Sequence, residues 1–96
     1  MVDRIVKQHM GASHKEFFRL LPVALASDDF IVNGLHIIYA NDDKRVEISL
    51  GPEGERRIAL LSIPTTHVEI KMSGYDDAEF KRFMTNFERA YQRGGG

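Results

Sequence analysis

The sequence predicts an α+β fold, a two-layer sandwich in which an antiparallel sheet of about five strands carries an N-terminal and a C-terminal helix on one face. Three observations predict it. Two segments, one near each end, repeat apolar residues at helical spacing. The residues between them alternate apolar and polar side chains, broken at short intervals by Asn, Asp, Gly and Pro. Consecutive strands joined by short turns favour a meander, and strands apolar on one face need only one covering layer.

Residues 1–12 carry no clear period and end in Gly11-Ala12. They are expected to form an N-terminal arm, either loose or added to a sheet edge as a short strand. Ser13 with Glu16 reads as a capping box, in which the hydroxyl accepts from an early helix N–H and the carboxylate reaches back. Phe17, Leu20, Leu21, Ala24 and Leu25 then form one helical stripe. Pro22 lacks an N–H, so a kink near Phe18–Leu21 or a fresh helical start at Pro22 is expected. Ser27-Asp28-Asp29 ends this helix.

Asn33-Gly34 between Phe30-Ile31-Val32 and Leu35–Tyr39 predicts a hairpin turn. Asn41–Lys44 predicts a second turn. Arg45 to Leu50 alternates, with Val46, Ile48 and Leu50 inward. Gly51-Pro52-Glu53-Gly54 predicts a third turn. Arg57 to Ile63 is apolar on both faces and reads as a central strand or one covered on both sides. Pro64-Thr65 interrupts it, and Thr66 to Met72 alternates again, with Val68, Ile70 and Met72 inward. The last helix opens with an acidic capping box, Asp76 and Glu79, and a staple of Tyr75 and Phe80. Phe80, Phe83, Met84, Phe87 and Tyr91 form its stripe, and Gly94 is its expected stop. The predicted core is Phe17, Leu21, Leu25, Val46, Ile48, Leu50, Ile58, Leu60, Val68, Ile70, Phe80, Phe83, Met84 and Phe87.

The organisation read from this is an arm at 1–12, a single domain over 13–93 and a flexible glycine tail at 94–96. A chain of 96 residues is one domain, able to bury roughly 60–70% of its unfolded surface. Thirteen basic and 14 acidic side chains give a net charge of −1. That balance argues against phosphate neutralisation as the main business of the surface, and against a polybasic membrane contact. The absence of cysteine excludes disulfides, thiol nucleophiles and thiolate metal sites. With no run of signal-peptide or membrane-spanning length, a cytoplasmic location is expected.

No catalytic or metal-ligating set stands out, and no cofactor is implied. His9, His14, His36 and His67 lack the spacing of a zinc motif. His36 and His67 would be close if their strands paired. His67, Glu69 and Lys71 on one strand and Arg45, Glu47 and Ser49 on another would give a polar sheet face. Hence His36, His67, Glu69, Arg45 and Glu47 are the candidate binding residues, with acid, base and cation of the kinds general acid–base chemistry uses. Alternating charges also simply keep an antiparallel sheet soluble. Asp28-Asp29, Asp42-Asp43 and Asp76-Asp77 fall at turns or helix starts, where Asp serves the local backbone. Gly94-Gly95-Gly96 resembles the tail of ubiquitin-like carriers, but here it follows a helix, so a frayed end is the expected role.

The least demanding function is a non-catalytic protein-interaction module, binding another protein or a second copy of itself through an edge strand or a patch that Phe18 extends. The alternatives are a small-ligand binder or small enzyme using the polar face, and nucleic-acid binding.

The run Glu55-Arg56-Arg57-Ile58-Ala59-Leu60-Leu61, Gly74-Tyr75 and Phe87–Gly96 resembles a small family of uncharacterised bacterial proteins, the likeness starting near His14-Lys15-Glu16-Phe17. The resemblance implies a compact α+β fold and a bacterial source. It carries over no activity and no site residues.

Overall fold

The alternating segments form one five-stranded antiparallel sheet in the computed structural model, which describes residues 3–95. In chain order the elements are β1 (Arg4–Met10), α1 (His14–Leu25), β2 (Phe30–Asn33), β3 (His36–Asn41), β4 (Lys44–Ile58), β5 (Leu61–Ser73) and α2 (Asp77–Gly95). The sheet order is β1-β5-β4-β3-β2, so a meander of four strands is completed by the first strand joining the last. Both helices cover one face, as the single apolar stripes require.

The core lies between that face and the helices. Ile37, Val46, Ile48, Ile70, Met72 and Val68 close it from the sheet, and Phe17, Leu21, Leu25, Met84 and Phe87 from the helices. Between the helices the Phe17 and Tyr91 rings stack at 4.9 Å, with Phe87 tilted against Tyr91 at the same distance. The Tyr91 hydroxyl donates to the Phe17 carbonyl at 2.9 Å, so the ring is buried without an orphaned polar end. Burial pushes the Tyr91 phenol far above its ordinary range, which keeps it a donor.

α1 is one helix running through Pro22, not two. Glu16 N–H donates to Ser13 Oγ at 3.1 Å, as the box predicts, but the Glu16 carboxylate pairs with Arg19. The His14 N–H is taken up by Glu53 of β4 at 2.7 Å. The helix ends on Ala26 in the left-handed conformation, φ 54°. Phe18, expected at a contact surface, is half-buried and packs on the core.

The α2 box is complete. Glu79 N–H donates to Asp76 Oδ1 at 2.8 Å, and Asp76 N–H to Glu79 Oε1 at 3.0 Å. Tyr75 meets the Phe83 ring edge-on at 5.8 Å. Phe80 and Phe83 are half-buried at the edge of the core. The helix continues through Gly94 to Gly95, past the expected stop; Gly96 and Met1-Val2 lie outside the described residues.

The turns differ from expectation in two places. Asn33 pairs with His36, so the first hairpin turns on Gly34-Leu35, with Gly34 at φ 63°. Gly in the first central position supplies the positive φ that a tight hairpin needs. The larger difference is at Gly51–Gly54, which is no turn. β4 runs through it, with the ladder shifted between Leu50 and Glu53. A bulge accommodates Pro52 without ending the strand. β5 likewise runs through Pro64, where it extends beyond the last β1 partner, Met10↔Thr66, and has a free edge.

The actual turn is Ala59-Leu60, with Ala59 at φ 55°. Residues 53–64 therefore form an arm of two paired strands. Its base is held at the link between β1 and α1: Thr66 is fully buried and its hydroxyl donates to the Ala12 carbonyl at 2.7 Å. Its outer part is bare. Ile58 and Leu60, predicted for the core, are 52% and 101% exposed, and Leu61 is 67% exposed. Residues 57–62, read as part of a central or covered strand, are all exposed.

Candidate functional site

The sheet face opposite the helices is uncovered, and the ladder registers define it row by row. One row runs Lys7, Glu69, Ser49, His36, Asn33 across the five strands; the next runs Ile5, Lys71, Glu47, Ile38, Ile31. Side-chain alternation alone places all these groups on one side. The strands bearing Arg45, Glu47, Ser49 and His67, Glu69, Lys71 do pair, with Ser49↔Glu69 and Glu47↔Lys71.

The five candidate residues do not form one cluster. His36, Glu47 and Arg45 come together: Arg45 Nη2 donates to Glu47 Oε1 at 3.3 Å, and His36 Nε2 lies 3.8 Å from the same oxygen. His36 Nδ1 and Ser49 Oγ are 3.1 Å apart. His67 is elsewhere. β4 separates its strand from that of His36, and His36 lies in register with Glu69 and not with His67, so the two rings do not adjoin. His67 instead stacks on His9 of β1, centroids 4.1 Å apart and planes 6° from parallel. Glu69 sits between Lys7 and Ser49 in register, apart from both pairs.

Ser49, His36 and Glu47 contain the residue types of a nucleophile, a base and its orienting acid. The geometry falls short of that use. The His36–Glu47 distance exceeds a hydrogen bond. The groups stand on an open surface, with 43% of the His36 side chain and 27% of the Glu47 side chain in water. Acid–base work needs convergence on a sheltered reacting atom. Among the described residues, no three His, Asp or Glu side chains converge as a ligand set.

A shallow depression of about 340 Å³ lies on this side, bordered by Lys7, Ser49, Gly51, His67 and Glu69. Gly51 helps to form it, since a Cβ there would stand 3.3 Å from the His67 Cβ. The His14 ring caps the Gly51 carbonyl at 2.7 Å. His9 and Lys7 were not among the expected site residues. Residues 1–12 carry no clear period, so nothing in the sequence pattern singles them out.

Sequence reasoning also missed the arm as a surface. The register puts Arg56, Ile58, Leu61 and Ile63 on one face of it and Glu53, Glu55, Arg57, Ser62 and Pro64 on the other. Arg57 Nε donates to Glu55 Oε1 at 3.1 Å. Glu55 is held below the ordinary carboxylate range, first by the Ser62 hydroxyl and then by Arg57. One arm face thus carries the Glu55–Arg57 pair with Glu53 turned to the His14 N–H, and the other is apolar with a single Arg.

Fold and surfaces together define a small α+β domain with a bare polar sheet and an apolar-tipped arm. No protein-family model matches the chain, and no curated protein matches its sequence. No helix among the described residues is long and apolar enough to cross a membrane.

Proposed function

We propose that the protein is a non-catalytic protein-interaction module of a bacterial cytoplasm whose contact element is the outer part of the β4–β5 arm. The observation that carries this reading is the arm tip, where Ile58, Leu60 and Leu61 stand in water on a paired ribbon. A two-stranded ribbon alone is marginal in water. Burying each such side chain against a partner contributes about 1.5–3 kcal/mol. Arg56 beside them adds a residue type enriched in interfaces. The bacterial setting rests on the resemblance at residues 55–61 and 87–96, and the reducing compartment on the absence of cysteine.

The test compares the intact chain with Leu60→Ser/Leu61→Ser as bait in a bacterial extract. A specific protein retained by the intact chain and lost by the variant, with both melting alike, supports the reading. Retention that ignores the substitutions, or no retained protein, refutes it.

A second reading, a small-ligand site, is favoured by the depression beside His67, where Lys7 and Glu69 offer opposite charges. A metabolite that raises the melting temperature of the intact chain but not of Lys7→Ala would support it. Nucleic-acid binding has less in its favour, because Arg56 and Arg57 occupy opposite arm faces and Arg57 is paired with Glu55.

A further inference from the structure

We propose that the free edge of β2 is a self-association surface, on which a second copy of this chain adds its own β2 antiparallel about a two-fold axis through Ile31. This surface lies across the sheet from β1 and does not depend on the role of the arm.

The sheet ends in two outer strands, β1 and β2, and their free edges differ in chemistry. β1 carries Arg4, Lys7 and His9, and charged residues on an edge strand discourage pairing. β2 reads Phe-Ile-Val-Asn and carries no charge and no proline. Its side chains are also under-covered. Ile31 on the open face is 68% exposed. Val32 points to the helix side yet is 47% exposed, so the helical layer stops short of this edge.

The geometry of a two-fold pair selects the register. Copies that continue one sheet with their helices on the same side must pair residues of the same face. Centring on Ile31 sets Ile31 against the second copy's Ile31, Phe30 against its Val32, and Asp29 against its Asn33. Every same-face pair is then apolar or a carboxylate with an amide. Ile38, beside Ile31 in register, extends the apolar row on the open face. Centring on Phe30 would set Ile31 against Asp29, and centring on Val32 would set Ile31 against Asn33. The same operation on β1, centred on Lys7, opposes two lysines, a repulsive pair. The product is a continuous ten-stranded sheet in which β2 ceases to be an edge. A strand pair this short buries less than the roughly 1,200–2,000 Å² of a standard interface, so the association is weak and concentration-dependent.

The chain has no cysteine, so single cysteines report the register directly. Light scattering on the full chain is expected to rise from one chain mass toward two with concentration, and Ile31→Lys to hold it at one. Under mild oxidation Ile31→Cys is expected to cross-link at least roughly tenfold faster than Ile5→Cys on β1 or Leu60→Cys on the arm, since facing strand positions fall within disulfide reach. If Ile31→Lys also lowers the melting temperature, the Ile31→Cys rate decides. A single-chain mass at every concentration overturns the proposal, including where a foreign peptide is later found on this edge. So does a dimer that cross-links as fast through Ile5→Cys or Leu60→Cys.

Discussion

Gly74 links β5 to α2 at φ 83°, and a Cβ built there would lie 2.2 Å from the Asp43 carbonyl oxygen and 3.2 Å from Lys44 Cα. Both neighbours are backbone of the β3–β4 turn, so neither can rotate aside. The turn is also tethered, because Lys44 pairs with Glu79 of α2. Gly74→Ala therefore meets two costs. The left-handed backbone conformation costs a side chain roughly 1–2 kcal/mol. Opening the turn to admit the methyl adds roughly 1–3 kcal/mol, the range for overpacking. Gly34→Ala isolates the first cost, since Gly34 sits at φ 63° with nothing within 4 Å of a built Cβ. Urea unfolding of the two variants beside the parent is the assay. Gly74→Ala should lose roughly 1–3 kcal/mol more than Gly34→Ala, at least about 4 °C further in melting temperature for a domain of this size. Equal losses would refute the claim that the turn and the β5–α2 link are in rigid contact.

Two further outcomes follow from other contacts. Tyr91→Phe keeps the ring stack and removes one buried hydrogen bond to the Phe17 carbonyl, so thermal unfolding should show a loss of about 0.5–1.5 kcal/mol. Glu79 is held below the ordinary carboxylate value of 4.5, first by the Asp76 N–H and then by Lys44. Its folded pKa is depressed, so its contribution is full above the unfolded value and is lost as pH falls below about 4.5 through the folded one. Unfolding measured from pH 6 to pH 3 should therefore fall less steeply in Glu79→Gln than in the parent. Identical slopes would refute the linkage.

The body of the fold was legible because its signals are periodic. Val46, Ile48 and Leu50, and Val68, Ile70 and Met72, alternate as one face must, and all are buried. The α2 box was legible because both partners lie within one turn. The arm was not legible, for a physical reason. Gly51-Pro52 has the composition of a turn but sits at a bulge, whereas the real turn, Ala59-Leu60, contains neither Gly nor Asn. Ile58 and Leu60 read as core because an apolar side chain signals a preference for burial, not whether anything covers it. The candidate site was half legible. Alternation put His36, Arg45, Glu47, His67 and Glu69 on one face, but only pairing order reveals that β4 divides the two histidines. Residues 4–10 lacked a clear period because both faces of β1 carry polar groups, Arg4 reaching Asp77 and Gln8 reaching Glu88 of α2.

The sheet closes by joining the first strand to the last, and that has a consequence in time. β2 to β5 are hairpin neighbours that can form as the chain proceeds, whereas β1 must wait until the residues through Met72 exist and then close the long loop between Arg4 and Met72. The entropy of so large a closure grows only slowly with length, about 0.6 kcal/mol per doubling, so the delay is a matter of rate more than of stability. Until β1 arrives, β5 has a bare edge along its full length. The nascent domain therefore passes its most adhesive moment with its first strand made but unplaced.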